Sequence, residues 1–154
     1  MSGGGGPPYD VPDACQVALG DAWTGFLAAH RRLTRELEAE LEARHGLSLS
    51  ALELLGRLAA ARGHELRITD LARAAGLSPT RASRIARALE RRGLLQRRSV
   101  RGDLRGVRAC LTDEGLRVAR EAQATHVTGV RRRFLGALGD DGLAALHLVL
   151  ARLA

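Results

Sequence analysis

Residues 78–92 read SPTRASRIARALERR, and the way this stretch sorts its side chains decides the fold. Wound as a helix, it places Ala82, Ile85, Ala86 and Leu89 on one apolar stripe and Thr80, Arg84, Arg87 and Arg91 roughly opposite. One face suits a core, and the other offers guanidiniums and a hydroxyl to something outside. Ser78 can accept orphan N–H groups as N-cap, Pro79 suits the first turn with its preset φ, and Gly93 supplies a left-handed stop. An arginine-rich exposed face is most often only a solvated surface, so the flanks decide what this one is for.

Upstream, Thr69-Asp70-Leu71-Ala72-Arg73-Ala74-Ala75 reads as a short helix capped by Thr69 and ended by Gly76, with Leu77-Ser78 leading straight into the next. Two helices joined by a Gly-containing tight turn form a helix-turn-helix, whose second helix is shaped to enter the DNA major groove. Ala72, Gly76 and Ala82 are small enough for the two helices to approach closely. Downstream, Leu94 to Arg98 and Val107 to Leu111 are expected strands, joined by a loop of Arg, Gly and Asp from Ser99 to Gly106. That is a hairpin with a basic tip. Leu66-Arg67-Ile68 adds a short strand ahead of the helix pair, and the resulting order spells a winged helix-turn-helix. The expected fold class is mainly α (α+β), with that lobe between dimerisation helices at the two chain ends.

The 154 residues suit one domain. With 45% hydrophobic and 27% charged residues the composition is globular, and no apolar run approaches the ~18 residues needed to span a bilayer, so no membrane is expected. Residues 1–12 read as a disordered Gly/Pro tail without the charged and apolar regions of a secretion signal, which points to a cytoplasmic protein. The net charge of +7 matters less than its location. From Arg62 to Arg108, 13 Arg stand against four acids, whereas the rest of the chain holds 11 Arg and 13 acids. The whole excess falls in the proposed lobe, as a polyanion-binding module requires. Cys15 and Cys110 are too few for a disulfide framework, and the five His show no metal-ligand spacing with them, so neither metal nor cofactor is expected.

Asp13 can cap a long helix reaching about Arg44, along which Leu19, Trp23, Phe26, His30, Leu33, Leu37 and Leu41 recur every three or four residues. At roughly 45 Å such a helix exceeds a small domain's diameter and needs a partner. His45-Gly46 ends it, and Ser50-Ala51-Leu52-Glu53 offers a capping box for the next helix. Thr112-Asp113-Glu114 starts a helix running towards Leu138; Gly139-Asp140-Asp141 breaks it and caps a last one with a broad apolar face of Leu143, Leu146, Val149, Leu150 and Leu153. We therefore expect residues 13–45 and 112–154 to pair in a twofold homodimer around winged lobes formed by 46–111. The acidic pairs Asp113-Glu114 and Asp140-Asp141 both begin helices and have no nucleophile beside them, so they read as dipole partners, and no enzyme is expected.

Leu71-Ala72, Gly76-Leu77-Ser78, Leu89-Glu90-Arg91-Arg92-Gly93-Leu94, Asp103-Leu104-Arg105 and Leu111-Thr112-Asp113-Glu114-Gly115, in this order, resemble the signature of the MarR family of transcriptional regulators. The likeness extends from about Trp23 to Leu153. It implies a triangular homodimer whose two winged lobes read successive major grooves of a pseudo-palindromic operator. It also implies a repressor released when a small anionic or aromatic effector binds between the dimer helices and the lobes. On this resemblance Arg105 is similar to the wing arginine that enters the minor groove and Asp103 to its orienting partner, with Leu104 where a polar or basic residue is more usual.

The DNA-contacting residues expected are Ser78, Thr80, Arg81, Ser83, Arg84 and Arg87 on the recognition helix, with Arg101, Asp103 and Arg105 in the wing. Trp23, Phe26 and His30 are the effector candidates, with His126 behind them, although an aromatic at helical spacing is more often core. Some members of the family sense peroxides through a Cys near the start of the first helix, which makes Cys15 a competing switch; its only Tyr neighbour is Tyr9. From a different class, a winged helix can serve as a protein-interaction module, but that use predicts an apolar outer face on residues 78–92.

Overall fold

The computed structural model describes residues 13–100 and 103–152; the side chains of residues 13–19, 100 and 103–105 lie outside the description. The chain divides after Arg35 into two units. Helix α1, Asp13–His45, begins in the first unit, where Trp23 stacks on Phe26 with ring centroids 6.0 Å apart and Phe26 on His30 at 6.4 Å. All three rings are exposed. No proline interrupts α1, and Gly46, at φ 61°, ends it by donating its N–H to the Glu42 carbonyl at 2.8 Å.

The second unit starts with the last turns of α1 and continues into α2, Leu49–Ala60. The cap of α2 corrects the sequence expectation. Ser48, not Ser50, accepts the Ala51 N–H at 3.2 Å, and Glu53 pairs with Arg57 at 2.8 Å instead of reaching back. The reason is tertiary: Leu47 is buried, which turns the chain early and restarts the helix one residue after Ser48. A 3₁₀ turn, Arg62–His64, leads to strand β1, Glu65–Arg67, and helix α3, Ile68–Ala74. Thr69 therefore lies inside α3 and does not cap it, and Ile68 is helical, because burying Ile68 in the core draws the chain straight from strand into helix. Gly76, at φ 63°, makes the turn, and the Leu77 N–H closes it on the Ala72 carbonyl at 2.9 Å.

Helix α4, Pro79–Arg91, has Ser78 as N-cap, its hydroxyl accepting from the Arg81 N–H at 3.3 Å. Ala82, Ala86 and Leu89 are buried as the spacing requires. Strands β2, Leu95–Val100, and β3, Asp103–Leu111, run further than expected, so the Ser99 to Gly106 loop is mostly strand. The sheet order is β1-β3-β2, antiparallel throughout. Helix α5, Asp113–Val130, has Thr112 as N-cap, accepting from Gly115 at 2.9 Å. At Gly115 an added Cβ would lie 1.8 Å from the Leu94 carbonyl oxygen, so only glycine lets α5 start this close to the end of α4.

Beyond α5 the sequence expectation misses a π-helical turn, Arg131–Leu135, that precedes α6, Gly136–Ala151. Arg133 on this turn reaches back to Glu40 of α1 at 2.6 Å, and Arg132 reaches the same carboxylate at 3.0 Å. The hydrogen bond from Arg133 leads the causes that hold the Glu40 carboxyl below its usual range. Gly139 breaks the helical geometry at φ 62°, as expected of it. The helical run Asp113–Ala151 contains an 18-residue window of mean hydropathy 1.4, long and apolar enough to cross a membrane by length and composition. A count of uninterrupted apolar residues misses it because the window tolerates up to two charges. None of that window is buried within the chain.

Candidate nucleic-acid interface

The recognition helix and the hairpin make the two walls of one groove. Its volume is about 760 Å³, and its lining includes Thr80, Ser83, Arg84 and Arg87 of α4, Arg97 of β2, and Gly106 and Val107 of β3. Arg67, Ile68 and Thr69 close one end, where β1 passes into α3. Four of the six residues expected on the helix therefore share a surface or border it, as the amphipathic spacing requires. Arg84 and Arg87 are exposed and make no ion pair among the described residues, which leaves both guanidiniums available to an outside anion.

The other expected residues fall elsewhere. Ser78 sits at the helix start with its hydroxyl engaged as cap. Arg81 turns away from the groove: its Nη2 donates to Ser50 Oγ of α2 at 3.1 Å. Arg101 lies outside the described residues. Asp103 and Arg105 belong to the β3 backbone, and their side chains lie outside the description.

Three polar groove residues escaped the sequence reading. Arg67 was read only as a strand residue, Thr69 as a cap, and Arg97 as part of a strand. For Arg97 a signal was present: two residues on from Leu95, which is buried, it shares that strand face, and it pairs with Ala109, also buried, so it points to the helix side of the sheet. There its Nε donates to Glu90 Oε2 at 2.6 Å and its backbone N–H to Glu90 Oε1 at 3.0 Å. These two bonds, the side-chain one first, hold the Glu90 carboxyl below its usual value. Glu90 thus ties the hairpin to α4 without filling the groove with negative charge.

The comparisons with solved structures now weigh on this arrangement. AbsC of Streptomyces coelicolor, a MarR family transcriptional regulator, is 32% identical, with a TM-score of 0.78 over 94% of this chain and 95% of its own. The chain belongs to the MarR family of transcriptional regulators. The sequence model of the MarR family matches residues 45–106, which hold the groove's α3, α4 and β2 walls. A second MarR regulator of the same organism, Sco3205, solved in complex with DNA, is 28% identical with a TM-score of 0.79 over 95% of this chain and 89% of its own. PcaV, also from Streptomyces coelicolor and solved with its natural ligand, is 26% identical with a TM-score of 0.66 over 87% of this chain and 89% of its own. No match was found among curated proteins. This MarR protein is thus a winged-helix DNA-binding transcriptional regulator.

The residues considered for sensing are spread along the chain. Trp23, Phe26 and His30 form one exposed stack on α1. His126 of α5 borders a recess of about 350 Å³ with Leu49, Leu52, Leu77 and Gln123 among its walls, and its Nδ1 is buried without a hydrogen-bond partner among the described residues. The Cys15 side chain lies outside the description. Cys110 is buried in β3, its thiol donating to Glu65 at 3.4 Å, and burial first, then Glu65, pushes its pKa up. A thiol so placed is a poor nucleophile.

Proposed function

We propose that this MarR protein is a cytoplasmic repressor that binds a pseudo-palindromic operator as a homodimer and lets go when a small aromatic or anionic effector binds. The observation that carries the DNA half is the groove in which Arg84 and Arg87 face outward beside Thr80 and Ser83, with Arg97 and Arg67 on the flanks. Arginine can grip guanine O6 and N7 with both prongs, which assigns base reading to Arg84 and Arg87 and phosphate contact to Arg67 and Arg97. Ser78 and Arg81 lie at the helix start, where we assign them phosphate contacts, and we assign the minor-groove contacts to Arg101, Asp103 and Arg105. An interaction module would carry an apolar face where this chain carries guanidiniums.

Exposed Leu143, Leu148, Val149 and Leu150 on α6 support the homodimer, because so many large apolar side chains left to solvent on one helix call for a covering surface. The ligand bound in PcaV supports an effector, and the Trp23, Phe26 and His30 stack is where we assign it. The experiment is a gel shift on the gene's own upstream region across salt concentrations, with and without aromatic acids. Affinity should fall steeply with salt, by about 0.9 log units per log unit for each phosphate neutralised, and salt-insensitive binding would refute the reading. Quenching of Trp23, the one tryptophan of the sequence, reports effector binding directly.

A further inference from the structure

The recognition helix is held near its start by one bond, Arg81 to Ser50 of α2, and pinned just past its end by a fork. Arg92, the residue after α4, donates Nη2 to the His45 carbonyl at 2.7 Å and Nη1 to the Gly46 carbonyl at 2.5 Å. Both carbonyls belong to the C-terminal end of α1, where backbone acceptors are orphaned and the helix dipole is negative. A planar guanidinium meets the two with a pair of N–H groups held in fixed directions, an orientation that a freely rotating ammonium does not enforce. Gly46, at φ 61°, turns the chain so that both oxygens face the fork.

Two further bonds make the pin a closed triangle. His45 Nε2 meets Thr125 Oγ1 of α5 at 2.8 Å. The Thr112 hydroxyl at the start of α5 donates to the Gly93 carbonyl at 2.8 Å, directly after Arg92. The end of α4 is thus tied to the end of α1 through Arg92 and to α5 through Thr112, while Thr80 and Pro79 at its other end are exposed. Without the fork, α4 keeps its buried stripe and its bonds through Arg81, Glu90 and Thr112 but loses its direct link to the end of α1, so its angle against that helix is set less sharply.

We propose that Arg92 is a positioning residue that fixes the angle of the recognition helix against the helices that carry the dimer, and so sets which half-site spacing the protein accepts. The inference rests on the homodimeric DNA-binding reading above. Arg92 is itself exposed, so replacing it opens no cavity in the core. It lies outside the groove lining and acts through geometry.

The test uses DNA selected from a random library by the wild-type protein, then rebuilt with the spacer one or two base pairs longer or shorter, and as a single half-site. Wild type should lose about tenfold or more in affinity when the spacer changes. Arg92→Ala should flatten that profile to about threefold while binding the single half-site within about twofold of wild type. Arg92→Lys, with one donor head in place of a fork, should fall between. Arg91→Ala removes the same charge one residue earlier and should keep the wild-type spacing profile. An Arg92→Ala profile as sharp as wild type overturns the inference alone. So does a loss of equal size on every probe, single half-site included, which marks Arg92 as a contributor of charge or stability. A wild-type protein that selects no DNA, or only unpaired sites, overturns the underlying reading as well.

Discussion

The middle of the chain and its ends treat the same residue types in opposite ways. Leu54, Leu55 and Leu58 of α2 and Leu71 of α3 are fully buried, and the core cluster runs from Leu41 to Ala122. By contrast Leu148 of α6 is 65% exposed, Val149 is 54%, and Trp23 of α1 is 59%. The lobe completes its core within the one chain, with Leu41 of α1 and Ala119 and Ala122 of α5, so a rigid reading surface can be built on it. The ends leave these apolar side chains exposed, which fits the proposed homodimer. Leucine count alone would have missed that division; what separates the two regions is whether the spacing finds a complementary face in the same molecule.

Five measurements break or sharpen the contrast. The largest effect is expected at Leu55, where Leu55→Ala should cost the lobe about 2–5 kcal/mol in denaturant unfolding, because a fully buried side chain leaves a cavity. Leu148→Asp should leave that core intact and appear instead in sedimentation as loss of the dimer at micromolar concentration; a dimer that persists removes α6 from the interface. Next, Arg84→Ala should lower cognate-operator affinity by about 1–3 kcal/mol and nonspecific affinity by less, read by gel shift against both DNAs. Equal affinity of variant and wild type for the operator would remove Arg84 from base reading.

Smaller still, Ser78→Ala should cost about 1 kcal/mol of stability by orphaning the N–H that its hydroxyl now receives. The least effect concerns acid. The folded Glu90 carboxyl is held below its ordinary 4.5, so its bonds to Arg97 contribute stability that is present above 4.5 and lost as pH falls through the lowered value. Thermal melts of wild type and Glu90→Gln should therefore converge as pH drops from neutrality, and parallel curves would show that the Glu90 to Arg97 link contributes nothing.

Much of the lobe was legible because its signals are local. Ser78, Pro79 and Gly93 bracket α4 by backbone chemistry alone, and the burial of Ala82, Ala86 and Leu89 follows from helical spacing. The failures share a cause. Ser50 and Glu53 match a capping box, yet Ser48 caps, because the burial of Leu47 fixes where the chain turns. Thr69 matches an N-cap, yet Ile68 is drawn into the core one residue earlier. Each time a long-range contact outweighed a short pattern. The groove was half readable: α4 announced Thr80, Ser83, Arg84 and Arg87, but Arg67 and Arg97 join them only through the register of three strands. Arg81 shows the converse, since the same helical face can send one arginine to a neighbouring helix.

Every cation lining the groove is a guanidinium, and the sequence contains no lysine at all. A guanidinium keeps its proton across the physiological range, and enzymes that neutralise ammonium groups by acylation find no side chain here to modify. The hold on the nucleic acid is consequently deaf to acidity and to that class of chemical silencing. Ionic strength and, on the proposed reading, the shape of the dimer are the controls that remain to the cell.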